Sequence, residues 1–514
     1  MPGADLNVLF ITADQWRADC LGTLGHPMVA TPNLDAFAAE ATLFRRHFTQ
    51  AVPCGPARAC LHTGRYLMTH RSVGNGTPLN DRFTNLAREV RKAGYDPTLF
   101  GYTDTSADPR TLAGDDPMLH TYEGLLPGIT PGLWVQEDMA PWRAWLAAEG
   151  FGRYAGMHDV YRPRGRTPGR GATFDPPVYD AEHSDTAFMV NQALAWLSVR
   201  QQERWFLHLS LLRPHPPWVA PEPYNAMYDP DAVPAPVRAA SRADQAAQHP
   251  FVAWLMDYLP RRSFFPDGDG PASAADEADQ RQARATYYGL MTEVDHHLGR
   301  VFGFLKDSGQ WERTLVVFTT DHGEQLGDHH LFGKVSPYDP SFHIPLMVRA
   351  PGQAGGRGRQ VDAFTEAVDV VPTILDALGL DVPQEMDGCS LVPFLAGDTP
   401  DGWRKEVFWE CDFRDPETLA AETALGLTPD QCSFSVLRDE AGKYVHFTAL
   451  PPLFFDLQAD PGERENLAQR PEMAATVLSY AQRLLSRRQL HADRTLVNHR
   501  LGPAGQTIWK GARQ

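Results

Sequence analysis

Three apolar runs, LNVLFITA (6–13), WFLHLSLL (205–212) and TLVVFTT (314–320), constrain this chain most strongly. Each reads as a buried strand, and the segments between them carry helical periodicity. Thr31-Pro32 opens a helix with Leu34, Phe37, Ala38 and Ala41 on one face. TNLAREVRKAGY (84–95) reads as a helix closed by Gly94, and DPTLFGY (96–102) as the strand after it. Further helices are expected near 184–198 and 279–307. Such alternation predicts an α/β domain with a mostly parallel or mixed sheet covered by helices.

At 514 residues the chain exceeds one ordinary core, so a second, smaller domain is expected. The alternation breaks twice. The Pro- and Ala-rich stretch 221–278 reads as an excursion or lid. Around Gly397-Asp398-Thr399-Pro400 the pattern turns to short strands, EVFWECDF, CSFSVLRD, KYVHFTA and LFFDL, followed by the helical EMAATVLSYAQRLLSRR. The expected division is a catalytic α/β domain over 1–400 and a smaller antiparallel α+β domain over 401–514. The apolar and basic tail of the second is suited to packing on another subunit.

The net charge of −17 argues against nucleic acid as a partner. No segment approaches the roughly 20 apolar residues that span a bilayer, so no membrane association is expected. MPGADLNVLFITAD lacks a basic start and a long apolar stretch and reads as a first strand rather than a signal peptide. The cysteines are scattered without a CxxC pair, and the expected compartment is cytoplasmic.

Two acids end predicted strands, Asp14 and Asp321, where ligands gather in open α/β sheets. Either could merely cap a turn. His322 follows Asp321 at once, and two carboxylates with an imidazole suit a divalent metal. In AVPCGPARACLHTGRY (51–66), Arg58 follows Cys54 too soon for a thiol phosphatase, whose intervening amides must cradle the anion. Lysine occurs only six times, so Lys334 stands out.

CGPAR fits the C-x-P-x-R signal read by formylglycine-generating machinery, and CGPARACLHTGR (54–65) fits the sulfatase signature. DQWRAD, TTDHGEQLGDHHLFGK (319–334) and FFDLQADPGERENLA occur in the order that family shows. The chain therefore resembles the type I sulfatase branch of the alkaline phosphatase superfamily over essentially its whole length. VPCGPARA, GYTDTSADPR, RPHPPWVA, AQHP and YVHFTALPPLFFDL look closest to the bacterial phosphonate monoester hydrolases, cytoplasmic enzymes that also cleave phosphodiesters.

That resemblance implies an alkaline-phosphatase-like mixed sheet sandwiched by helices. It implies that a formylglycine-generating enzyme oxidises Cys54 to Cα-formylglycine, whose hydrate supplies the nucleophile. The implied metal ligands are Asp14, Asp321, His322 and the oxygen at position 54 (Cys54). Ordinary sulfatases carry a second Asp where this chain has Gln15, and Asn where it has His322. One fewer carboxylate and one nitrogen donor favour Mn²⁺, with Ca²⁺ or Zn²⁺ as the other candidates. Arg58, His215 and Lys334 are the implied catalytic residues, and Asn75 and Tyr102 the substrate-binding ones. Asp104 stands where Thr is expected, an extra carboxylate to which the resemblance gives no role. Cys60, His329 and His330 are read as scaffold. The expected activity is metal-dependent hydrolysis of small anionic esters, phosphonate monoesters and phosphodiesters foremost, with promiscuous sulfatase activity. The rival is an aryl or alkyl sulfatase with the same nucleophile. A homotetramer is implied.

Overall fold

The structure, a computed structural model, describes residues 5–136, 138–266, 268–493 and 495–509. Strands are numbered along the chain: β1 (Asn7–Ala13), β2 (Thr42–Phe48), β3 (Ala51–Val52), β4 (Pro97–Gly101), β5 (Thr130–Trp134), β6 (Phe206–Leu211), β7 (Thr314–Thr319), β8 (His343–Arg349), β9 (Gln360–Glu366), β10 (Val407–Asp412), β11 (Ser433–Arg438), β12 (Gly442–Phe447), β13 (Leu453–Asp456), β14 (His499–Gly502) and β15 (Gly505–Ile508).

Eight of them form one mixed sheet in the order β5-β4-β6-β1-β7-β8-β2-β9. The central neighbours β4, β6, β1 and β7 run parallel, and β8 is antiparallel to both β7 and β2. The period-two alternation of β1 explains the two layers around it. Leu9, Ile11 and Ala13 join Leu290, Met291 and Val294 of the helix Glu277–Asp307. Val8 and Phe10 point the other way, to Leu61 and Ile374. Both faces are therefore covered, and the strand's apolar run is continuous for that reason.

The second sheet has the order β13-β12-β11-β10-β3. Its strands are antiparallel except that β3, from the N-terminal part of the chain, joins β10 in parallel, Ala51 facing Glu410 and Val52 facing Cys411. One face packs on Tyr480 and Leu484 of the helix Ala474–Leu490. The other, through Trp409, Val436 and Val445, packs on Phe251 and Leu255 of the helix Pro250–Tyr258. The stretch 221–278 thus differs from the excursion expected of it, since its PFVAWLMDY segment is core beneath the second sheet. Flanking Pro and Ala residues hide that amphipathic helix. Strands β14 and β15 form an exposed hairpin after the last helix.

Candidate active site

The four parallel central strands end at one edge of the sheet, and each delivers chemistry there. Asp14 follows β1, Asp321 and His322 follow β7, Tyr102 and Asp104 follow β4, and His215 lies just beyond β6. Cys54 is the first residue of the helix Cys54–Thr63, where the helix N-terminus favours negative charge. Asn75 closes over that turn, its Oδ1 accepting from the Gly55 amide at 2.8 Å. A Cβ at Gly55 would stand 3.1 Å from that oxygen and 3.4 Å from the Asp104 carbonyl, so any larger residue would push on Asn75.

Arg58 is fully buried and organises the acids. Its Nε donates to Asp321 Oδ2 at 2.9 Å and one terminal nitrogen to Asp14 Oδ2 at 3.0 Å. The other terminal nitrogen donates to the Tyr102 carbonyl at 3.1 Å and Ser210 Oγ at 2.9 Å. Tyr102 also gives its hydroxyl to Asp14 Oδ2 at 2.6 Å. The planar, permanently charged fork of arginine suits this bridging role.

Asp14, Cys54, Asp321 and His322 each offer one ligand atom, and these atoms lie within 4.8 Å of one another. Asp14 Oδ1 is buried with no hydrogen-bond partner among the described residues, although Oδ2 has two. His322 Nδ1 faces the Gly323 carbonyl at 3.0 Å, which fixes the proton there and leaves Nε2 as an acceptor, 3.2 Å from Cys54 Sγ. Burial lowers the His322 pKa, keeping the imidazole neutral. An orphaned carboxylate oxygen beside a second carboxylate and a neutral imidazole fits a divalent cation.

Lys334 Nζ reaches His215 Nε2 at 3.0 Å and donates to Gln15 Oε1 at 2.9 Å. His215 Nδ1 faces the Pro216 carbonyl at 2.7 Å, so Nε2 is the nitrogen that accepts from the lysine. Burial, then Lys334, lowers the His215 pKa to about 3. Burial opposes the charge on Lys334, but neighbouring Cys54, Asp14 and Asp321 raise its pKa overall. Burial, then Asp14, pushes the Cys54 thiol well above its ordinary value, so the unmodified side chain is not a thiolate nucleophile. Burial also pushes Asp104 up to about 7, against the pull of Arg58.

Cys54, Asn75, Tyr102, Asp14, His215 and Lys334 thus share one cavity of about 110 Å³, with Arg58, Asp321 and His322 behind them. A wider groove of about 490 Å³, between the helix Ala474–Leu490 and the second sheet, holds none of these residues. Cys60 instead pairs with His70 Nε2 at 3.2 Å, while His329 stacks on Tyr338 and His330 contacts the Ala239 carbonyl. Gln15 donates to Glu324, so Gln15 links the lysine to a buried acid next to the Asp321 motif. Sequence reasoning left Gln15 and Asp104 without roles and missed the outer wall, Tyr122, Glu123, Gln136, Met139, Met157 and Leu212. The DHGEQ run was the only local signal for Glu324, and nothing local marked the wall.

Two acids, an imidazole and a helix-start cysteine gathered at the carboxyl edge of a mixed sheet form a cluster suited to a metal ion in a hydrolase. The chain belongs to the sulfatase family, in the alkaline phosphatase superfamily: the Sulfatase family model matches residues 6–380. The model described as N-sulphoglucosamine sulphohydrolase, C-terminal, matches residues 327–490. The chain is 47% identical to the multifunctional alkaline phosphatase superfamily protein PehA of Trinickia caryophylli, covering 98% of both chains. The phosphonate monoester hydrolase of Agrobacterium radiobacter superimposes with a TM-score of 0.95 at 46% identity, over 98% of this chain and 100% of that one. The phosphonate monoester hydrolase SpPMH of Silicibacter pomeroyi gives 0.93 at 43% identity, over 98% and 99%.

Proposed function

We propose that this chain hydrolyses phosphonate monoesters and phosphodiesters through a formylglycine at position 54, and sulfate monoesters more slowly. The observation that carries the reading is Cys54 at a helix N-terminus, 3.2 Å from His322 Nε2 and within the Asp14–Asp321–His322 cluster. Oxidation of its CH₂SH group to CHO by a formylglycine-generating enzyme gives an aldehyde that hydrates to a geminal diol. One hydroxyl attacks phosphorus as the alcohol leaves, forming an ester on the side chain. The remaining hydroxyl loses its proton, the C=O bond re-forms and the C–O bond to the phosphonate breaks. Water then restores the diol.

Asp14, Asp321, His322 and the oxygen at position 54 would hold the divalent cation, manganese by the donor set. Bound there, it supplies Lewis acidity that favours loss of a proton from the nucleophile. Arg58 keeps the two acids in register, and Asn75 and Tyr102 line the pocket for the ester. Lys334 places an ammonium beside the transferred group. His215, neutral and accepting from Lys334 through Nε2, orients that ammonium toward the leaving oxygen. Assembly as a homotetramer is supported by the exposed tail, where Leu501 is 79% and Trp509 60% exposed. Light scattering returning a monomer counts against it.

The test is turnover of 4-nitrophenyl esters by metal-loaded protein. Phosphonate monoester and phosphodiester should exceed the sulfate ester; the reverse order makes the chain an aryl or alkyl sulfatase.

A further inference from the structure

Asp104 is built into the site at a cost and serves nothing described so far. Its φ of 46° lies in the left-handed region, which Asp enters more readily than most residues but still at some cost. The loop is locked there by neighbours on both sides. The Thr105 amide donates to the Gly124 carbonyl at 3.1 Å, and Thr103 Oγ1 donates to the same carbonyl at 3.1 Å. The Asp104 side chain is 7% exposed, and the residue lines the cavity. It makes no hydrogen bond to a described residue. The closest cation is Arg58 Nε at 3.7 Å, and that N–H is committed to Asp321 Oδ2 at 2.9 Å.

A carboxylate so placed needs a donor from the cavity, because burying it unpaired is unfavourable. Glu123 lines the same cavity, beside Tyr122, Met139 and Met157. A purely anionic ester would be repelled by an ionised Asp104. An aromatic face and thioethers suit an alkylammonium. The Asp104 carbonyl and Asn75 Oδ1 both lie against Gly55, beside Cys54, while Lys334 pairs with His215, and the ester-hydrolase reading assigns the Asp104 wall to the substituent that stays on phosphorus.

Building on the ester-hydrolase reading above, we propose that Asp104 recognises an ammonium group on that substituent, so that the preferred substrates are zwitterionic: a monoanionic phosphorus centre tethered to a cation. Glu123 adds to the field that draws it in, and the apolar wall takes the alkyl groups around nitrogen.

The experiment uses two phosphodiesters with one leaving group, the zwitterionic 4-nitrophenyl phosphorylcholine and its isostere without the cation, the anionic 4-nitrophenyl 3,3-dimethylbutyl phosphate. Wild type should favour the cationic ester in kcat/KM by about tenfold or more, and added salt should shrink that ratio. Asp104→Asn, of equal size, should bring the ratio to within about twofold, while Asp104→Glu should keep part of it. Calorimetric binding of both esters to Cys54→Ala protein reads the same preference without chemistry. Equal handling of the two esters by wild type, or a preference that survives Asp104→Asn, overturns the proposal. Turnover of neither ester despite selective binding instead refutes the hydrolase reading and leaves the recognition standing.

Discussion

Asp185 Oδ2 sits 3.1 Å from Arg213 Nε, both side chains fully buried, and the pair sets the loop that carries His215. Arg213 donates to the His215 and Pro217 carbonyls, each at 2.9 Å, and lies over the Tyr161 ring. His215, which lines the Cys54 cavity, is thus held from behind through its own backbone. Arg213→Lys keeps the charge but loses the two-carbonyl grip, and kcat/KM should fall about 10- to 100-fold as His215 drifts. Asp185→Asn leaves the guanidinium without its partner and should destabilise the fold by about 3–5 kcal/mol. Steady-state kinetics alongside thermal denaturation separate the two effects.

Cys54→Ala should fold normally and lose about 10⁴-fold or more in activity, because no neighbouring group can form the covalent ester. In active protein, mass spectrometry of the tryptic peptide from His47 to Arg58 should show CHO in place of CH₂SH. Full activity with only the thiol present would end the formylglycine reading.

Asp14→Ala and Asp321→Ala should each abolish or nearly abolish metal binding, since each removes one anion from a small donor set. His322→Asn should be milder and should shift preference toward Ca²⁺, a cation that takes oxygen donors. Elemental analysis after reconstitution with mixed cations is the measurement. An unchanged preference would refute the argument from donor type.

Glu293 offers a pH test away from the cavity. Burial, and then Asp185, raise it from 4.5 to about 8 in the folded chain, with Arg213 pulling the other way. The folded state therefore holds a proton that the unfolded chain releases near its ordinary pKa. Stability should be highest below that value and fall as pH rises to about 8, by a few kcal/mol in total. Glu293→Gln should flatten that slope in denaturant titrations between acid and alkaline buffers.

The sequence disclosed those parts of the molecule that are written locally. β1, β6 and β7 are continuous apolar runs because both faces are covered, and Asp14 and Asp321 end two of them. The CGPAR and DHG stretches marked Cys54, Asp321 and His322, which the fold brings together with Asp14. β2 escaped notice because Arg45 and Arg46 interrupt its apolar pattern. β8 and β9 lay outside any run long enough to stand out. Gln15 meets Glu324 and Lys334, and Asp104 joins a cavity wall that also draws on residues 122–157 and 212–215, so no short window of the chain contains their settings. The excursion was misread because its buried face is a single short helix.

Strand β3 ends one residue before the Pro53–Cys54 turn, and its hydrogen-bonding partner is β10. During synthesis, Ala51 and Val52 must wait for Glu410 and Cys411, about 350 residues later, an interval on the order of tens of seconds at ordinary elongation rates. Until then the segment entering the helix that bears Cys54 has no sheet to join. Once β10 arrives, the strand is paired and Cys54, Pro56 and Arg58 are sealed inside. On the proposed reading, an enzyme that oxidises Cys54 before the segment is paired works against a clock set by the far end of the message, and slower elongation after residue 66 would lengthen its window.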